Sequence, residues 1–128
     1  MASGRRPGFT LIELLVVVVI IGILAAISIV ALDATKGKAN FAAMRSDLHN
    51  LETAEEAFFY ETRRYTTQLD SLKFNMSRGM QLSVVEATGS GWSATAQHPA
   101  SYPRFCTVFV GSATPISPAT SDGVVACR

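Results

Sequence analysis

The hydrophobic pattern of the N-terminal half changes character once. Residues 14–32 (LLVVVVIIGILAAISIVAL) run for 19 positions without a charge. A helix of that length spans about 28 Å, close to the ~30 Å hydrocarbon core of a bilayer. From Asp33 onward the apolar residues thin to a stripe. Phe41, Met44, Leu48, Leu51 and Phe58 recur at spacings of 3 and 4, with Ala54 filling the gap. That is one face of an amphipathic helix. Gly37 weakens the pattern without stopping it. One continuous helix is therefore expected from Phe9 to about Glu61. Its first half is apolar all round, and its second half on one face only. An all-apolar half is unstable in water and must sit in lipid or in a bundle of its own kind.

After Tyr65 the pattern shortens. Thr66–Phe74 reads as a loop or short helix, and Met80–Glu86 as a strand. A Gly-rich turn follows at residues 87–91. Trp92–His98 alternates as a half-buried strand does. Pro99–Pro103 interrupts. Phe105–Val110 is the strongest strand signal, rich in β-branched and aromatic residues. Gly111–Gly123, with Pro115 and Pro118, carries little regular signal, and Val124–Cys127 is a short apolar tail. The expected fold class is α+β: a long N-terminal helix packed on a small antiparallel sheet of three to four strands.

Charge and composition narrow the function. The 128 residues hold 11 Lys plus Arg against 10 Asp plus Glu, a net charge of +1. This balance disfavours a chain that works mainly by wrapping polyanions. Hydrophobic residues make up 48% of the chain, which excludes disorder throughout. Arg5 and Arg6 flank the apolar run on its N-terminal side, which holds that end in the cytoplasm. The rest of the chain then lies beyond the inner membrane. Three readings compete: a plain anchor, a secretory signal cut near Ala26–Ser28, or a leader cut on the cytoplasmic side. Glu13 separates them. A lone carboxylate at the edge of an apolar helix is costly and calls for a partner, which neither of the first two readings needs.

Gly8-Phe9-Thr10-Leu11-Ile12-Glu13, followed by Leu14-Leu15-Val16-Val17-Val18 behind a short basic leader, resembles the N-terminal signature of type IV pilins and related pseudopilins. The resemblance implies that a prepilin peptidase cuts between Gly8 and Phe9 and that the Phe9 amine is methylated. It also implies that Glu13 sits near the Phe9 amine of a neighbouring subunit. An ammonium and a carboxylate inside an apolar bundle cost much less together than apart. The implied layout is a leader at 1–8, a transmembrane and then filament-core helix at 9–32, its amphipathic half at 33–64, and a C-terminal sheet region at 65–128. Many pilins carry proline at the position of Val30, and a melted stretch between there and the position of Gly22. Here only Gly22 weakens the helix, by ~1 kcal/mol.

Cys106 and Cys127 fall in the expected exported part, where disulfides persist. A bond between them would close a loop with 20 residues between the partners, worth ~3 kcal/mol in loop-entropy models. Two unpaired buried thiols are the other reading. The spacing of His49 and His98 fits no zinc motif, and no catalytic or phosphate-loop signature occurs. No enzyme activity, cofactor or metal is expected. Glu52, Glu55, Glu56 and Glu61 read as a solvated face or a contact for a neighbour's basic residues. Phe58, Phe59, Tyr60 and Tyr65 read as packing against the sheet; a stacking site for DNA has no support in the sequence. The expected function is a subunit of a type IV pilus-like filament. Its expected partners are other copies of itself, the prepilin peptidase and an inner-membrane assembly machinery. It would move from the inner membrane to the cell surface. The alternatives are a type II secretion pseudopilin and a membrane-anchored binding module that never assembles.

Overall fold

A computed structural model describes residue 4 and residues 8–128. Arg5, Arg6 and Pro7 of the expected leader lie outside the described residues. The chain divides into two compact units, Met1–Lys36 and Gly37–Arg128, and the division falls inside a single helix, α1 (Leu11–Thr62). The helical backbone runs through Gly22 and Val30 without a break. Without proline there, no ring clash or missing N–H interrupts the hydrogen-bond ladder.

In the first unit the helix has nothing to pack on among the described residues. The large apolar side chains at Phe9, at 11–29 and at Leu32 are 46% to 84% exposed. The few polar groups in the stretch are satisfied locally. Ser28 Oγ donates to the Leu24 carbonyl at 2.9 Å, and Thr35 Oγ1 to that of Ala31 at 2.9 Å. Hydroxyls bonded back along the helix in this way are tolerated in an apolar environment.

In the second unit the helix packs on a four-stranded antiparallel meander, β1 (Gln81–Ala87), β2 (Gly91–Gln97), β3 (Phe105–Gly111) and β4 (Ala126–Cys127), in that spatial order. Met44, Leu48 and Leu51 meet the inner sheet face of Leu82, Val84, Trp92, Ala94, Ala96, Cys106 and Val108. Ala94 and Ala96 are wholly buried in this layer, as are Met44, Leu48 and Leu51 of the helix. Two short 3-10 turns, Leu69–Ser71 and Pro99–Ser101, fill the expected loop regions. Asp47, buried in the helix face, accepts from the Ser77 backbone N–H and hydroxyl, both at 2.9 Å. That contact pins the loop before β1.

β2 departs from the half-buried strand that its alternation predicts: Gly91–Ala94 are all buried. The reason lies in residues 112–125, the stretch with little regular signal. They cross the outer sheet face as a strap and cover Ser93, Thr107 and Phe109. Thr107 Oγ1 donates to the Ile116 carbonyl at 2.8 Å and accepts from Ala119 N–H at 3.1 Å. Gly111 N–H donates to Asp122 Oδ1 at 2.8 Å. A bulge in β1 between Val84 and Glu86 turns Glu86 to this face, where its Oε2 accepts from Thr114 N–H at 3.0 Å. At the start of the strap the backbones close in. A Cβ on Gly91 would lie 2.5 Å from Ser112 N, and Gly111 has φ +66°, so both positions require glycine.

Candidate functional site

The N-terminal signature forms a reciprocal helix cap. Thr10 precedes the first helical residue and Glu13 lies in the first turn. The Glu13 backbone N–H donates to Thr10 Oγ1 at 3.3 Å. In return Glu13 Oε2 accepts from the Thr10 backbone N–H at 3.2 Å and from its hydroxyl at 3.1 Å. This is the capping box of a Thr-x-x-Glu sequence, and it satisfies two otherwise orphaned donors. The carboxylate also sits at the positive end of the helix dipole. Among the described residues both of its bonds fall on Oε2 and none on Oε1. Thr10 is the participant that the sequence reading missed, although Thr-x-x-Glu before an apolar run is its signal.

Gly8 and Phe9 are exposed. Among the described residues a Cβ on Gly8 would meet nothing within 4 Å, so none of them demands glycine there. Phe9 is 81% exposed. Gly8, Phe9 and Glu13 thus lie together on an accessible segment at the head of an apolar helix.

Cys106 and Cys127 form a disulfide between directly paired residues of β3 and β4. It closes the strap at the point where the strap rejoins the sheet. Cys106 Sγ is 3.7 Å from Met44 Sδ, so the bridge is part of the helix–sheet core.

The acidic and aromatic clusters each divide. Glu52, Glu56 and Glu61 face outward wholly or in part, but Glu55 has no exposed surface. Its Oε2 accepts from Thr66 N–H at 3.1 Å, while Oε1 has no partner. Burial pushes its carboxyl above the ordinary value; the Thr66 bond opposes this, and the neighbouring Glu56 charge adds to it. The periodicity held the clue, since Glu55 is four residues after Leu51 and three before Phe58. Phe58 and Tyr65 pack against the core, Phe59 stacks on Tyr65 with ring centroids 4.7 Å apart, and Tyr60 is exposed. Tyr65 donates to Glu56 Oε1 at 2.9 Å. Its burial, that bond and nearby carboxylates raise its pKa to about 12. His98 caps the second 3-10 turn by accepting from Ala100 N–H at 3.2 Å. His49 is exposed beside Glu52 at 3.4 Å. Among the described residues no group of three His, Cys, Asp or Glu side chains is arranged to hold a metal ion.

The prokaryotic N-terminal methylation motif matches residues 4–29, which includes the capped segment and most of the apolar helix. The chain is 41% identical over 77 residues to the type IV major pilin protein PilA of Myxococcus xanthus, covering 60% of this chain and 35% of that one. It is 38% identical over 69 residues to the type II secretion system core protein G of Pectobacterium carotovorum, covering 54% and 44%. The chain therefore spans less than half the length of these two relatives. Similarity to the type IV wide pilus major component PilA4 of Thermus thermophilus is broader. It is 36% identical over 92 residues, 72% of this chain and 68% of that one. A match that extends so far beyond the N-terminal motif, on a fold with a long apolar helix and a small antiparallel sheet, places the chain in the type IV pilin family.

Proposed function

We propose that this chain is a structural, non-enzymatic subunit of a type IV pilus-like surface filament. It is held in the inner membrane by its apolar helix, cut between Gly8 and Phe9, methylated on the Phe9 amine, and stacked through that helix. The observation that carries this reading is the pairing of an unsatisfied apolar helix with a carboxylate at its head. Among the described residues of its own unit the helix finds no apolar partner, which suits lipid before assembly and other copies after it. Among the described residues only Oε2 of Glu13 is bonded, which suits a carboxylate that meets an ammonium through its other oxygen. In a dry bundle that pairing offsets desolvation costs of several kcal/mol per charge. The absence of steric need for glycine at position 8 fits a peptidase that must approach the backbone. Electron microscopy of sheared surface material, with intact-mass analysis of its main band, tests the proposal. Filaments whose subunit begins at methylated Phe9 are expected. A subunit that begins at Ile27 or retains Met1 overturns it.

The pseudopilin reading has its own support in the similarity to core protein G of type II secretion systems. Deleting the gene separates the two readings. Loss of surface filaments with secretion intact supports the pilin, and loss of secretion alone supports the pseudopilin.

A further inference from the structure

The second unit carries a basic groove that follows soon after the apolar run in sequence. Lys38, Phe41, Ala42 and Arg45 stand at i, i+3, i+4 and i+7, so they share one face of α1. With Cys127 and Arg128 they line one open groove. Lys38, Arg45 and Arg128 are exposed. Arg45 Nε donates to Cys127 Sγ at 3.5 Å, and the Arg128 backbone N–H donates to the Phe105 carbonyl at 2.9 Å. A fourth exposed cation, Arg104, lies over the Phe41 ring, 5.5 Å from its centroid. Among the described residues no Asp or Glu lines the groove, and the one salt bridge, His49 with Glu52, involves none of the four cations. Glu52 is the first carboxylate further along this face, seven residues beyond Arg45.

The place of the groove along the chain narrows what it can meet. Lys38 is six residues after Leu32, where the apolar run ends, so at most ~22 Å of chain separates them in any conformation. In a chain held by that run, the groove stays within reach of the headgroup layer, the ~5–8 Å zone outside the hydrocarbon core. Long basic side chains extend that reach. Lys36, also exposed, adds charge nearer still, and Asp33 is the one carboxylate between Leu32 and Arg45. Cations on an exported flank oppose the usual bias of membrane insertion, so they need another account.

We propose that this groove binds the headgroup of an anionic phospholipid while the chain is held in the membrane. The inference rests on the membrane-held stage of the filament reading and adds a lipid contact to it. The guanidinium groups of Arg45, Arg104 and Arg128 suit phosphodiester oxygens, and the Lys38 ammonium adds a point charge. Phe41, Ala42 and Cys127 offer an apolar surface to the glycerol and the first methylenes, which a free phosphate would not use. Four cations around one groove match one or two phosphates. A nucleic-acid duplex, with a charge every ~1.7 Å, calls for a longer basic track.

The test uses the full chain in lipid nanodiscs. The discs are phosphatidylcholine with a minor fraction of phosphatidylglycerol that carries a photoreactive group near its headgroup. This lipid should label peptides that contain residues 38–45 or Arg128. A photoreactive phosphatidylcholine at the same fraction should label them about tenfold less. Lys38→Gln and Arg45→Gln should each cut the labelling about fivefold. Arg78→Gln removes an exposed cation outside the groove and should leave it unchanged. Equal labelling by the two lipids, or an equal loss in Arg78→Gln, overturns the site. So does loss of the label on adding glycerol phosphate at the lipid's concentration, which assigns the groove to a free phosphate. Loss on adding duplex DNA overturns it too and assigns the groove to a polyanion. Should a groove variant fail to fold, the comparison of the two lipids on the wild-type chain decides alone. A chain that does not enter the discs removes the membrane reading itself, an outcome distinct from an inserted chain that ignores lipid charge.

Discussion

Glu13 has a task in the helix cap and a proposed one in assembly, which alanine removes together and glutamine separates. Its Oε2 closes the cap with Thr10, and its negative charge is the feature assigned to assembly. Glu13→Gln keeps a capping-box side chain but loses the charge, whereas Glu13→Ala loses both. Both variants should lose most surface filaments. Only Glu13→Ala should also fray the first helical turn, by ~1 kcal/mol, read as faster amide exchange at residues 10–13. Near-normal filament counts with Glu13→Gln would assign the residue to the cap alone. Glu55 supports a second prediction. Its carboxyl is raised above 4.5 in the folded chain, so folding binds a proton more tightly than the unfolded state does. The stability it contributes is present below 4.5 and is lost as pH rises through the raised value. Glu55→Gln should therefore melt higher than wild type at pH 7 in detergent, with the difference vanishing in acid. An unchanged melting temperature at pH 7 would count against a buried charge there.

At the scale of elements, the junction after α1 titrates at the other extreme. Tyr65 has its pKa raised from 10.0 to about 12, so the stability it lends through Glu56 is present below pH 10 and lost as pH climbs through 12. Tyr65→Phe should flatten the alkaline limb of the stability profile in that window. The strap has a different vulnerability. Cys127→Ala opens a closed loop that models value at ~3 kcal/mol. It should expose residues 112–125 to proteases while the helix resists. Gly91→Ala drives a Cβ into the strap backbone and should cost about 1–3 kcal/mol. Normal protease resistance in Cys127→Ala would show that hydrogen bonds alone hold the strap. These elements were unequally legible in the sequence. β1, β2 and β3 announced themselves through β-branched and aromatic alternation. α1 did so through charge-free length and then a 3–4 spacing. The strap was hidden because backbone and hydroxyl bonds, at Thr107 and Gly111, fasten it instead of an apolar period. Glu86 was hidden by the bulge, which changes the face that a residue points to without altering the composition. At the N-terminus, the motif Gly8–Glu13 was conspicuous as a signature, but its capping role was eclipsed by the family resemblance.

For the whole molecule, the feature with the widest reach is a helix whose large apolar residues over 11–29 and at Leu32 are exposed, with no covering among the described residues of their own unit. At about 25 cal/mol per Å² of apolar surface, transfer of such a helix into water is prohibitive, so an aqueous monomer is in effect absent from the accounting. On the proposed filament reading, gains and losses of subunits must then happen where lipid is within reach. A filament built this way can grow or shrink at its membrane-rooted base, but its distal tip is a dead end. A fragment broken off into the medium should neither shed subunits on dilution nor anneal new ones from solution. Its length distribution should stay constant for as long as the covalent chain survives. Detergent, by supplying an artificial lipid phase, should restore the exchange that water forbids.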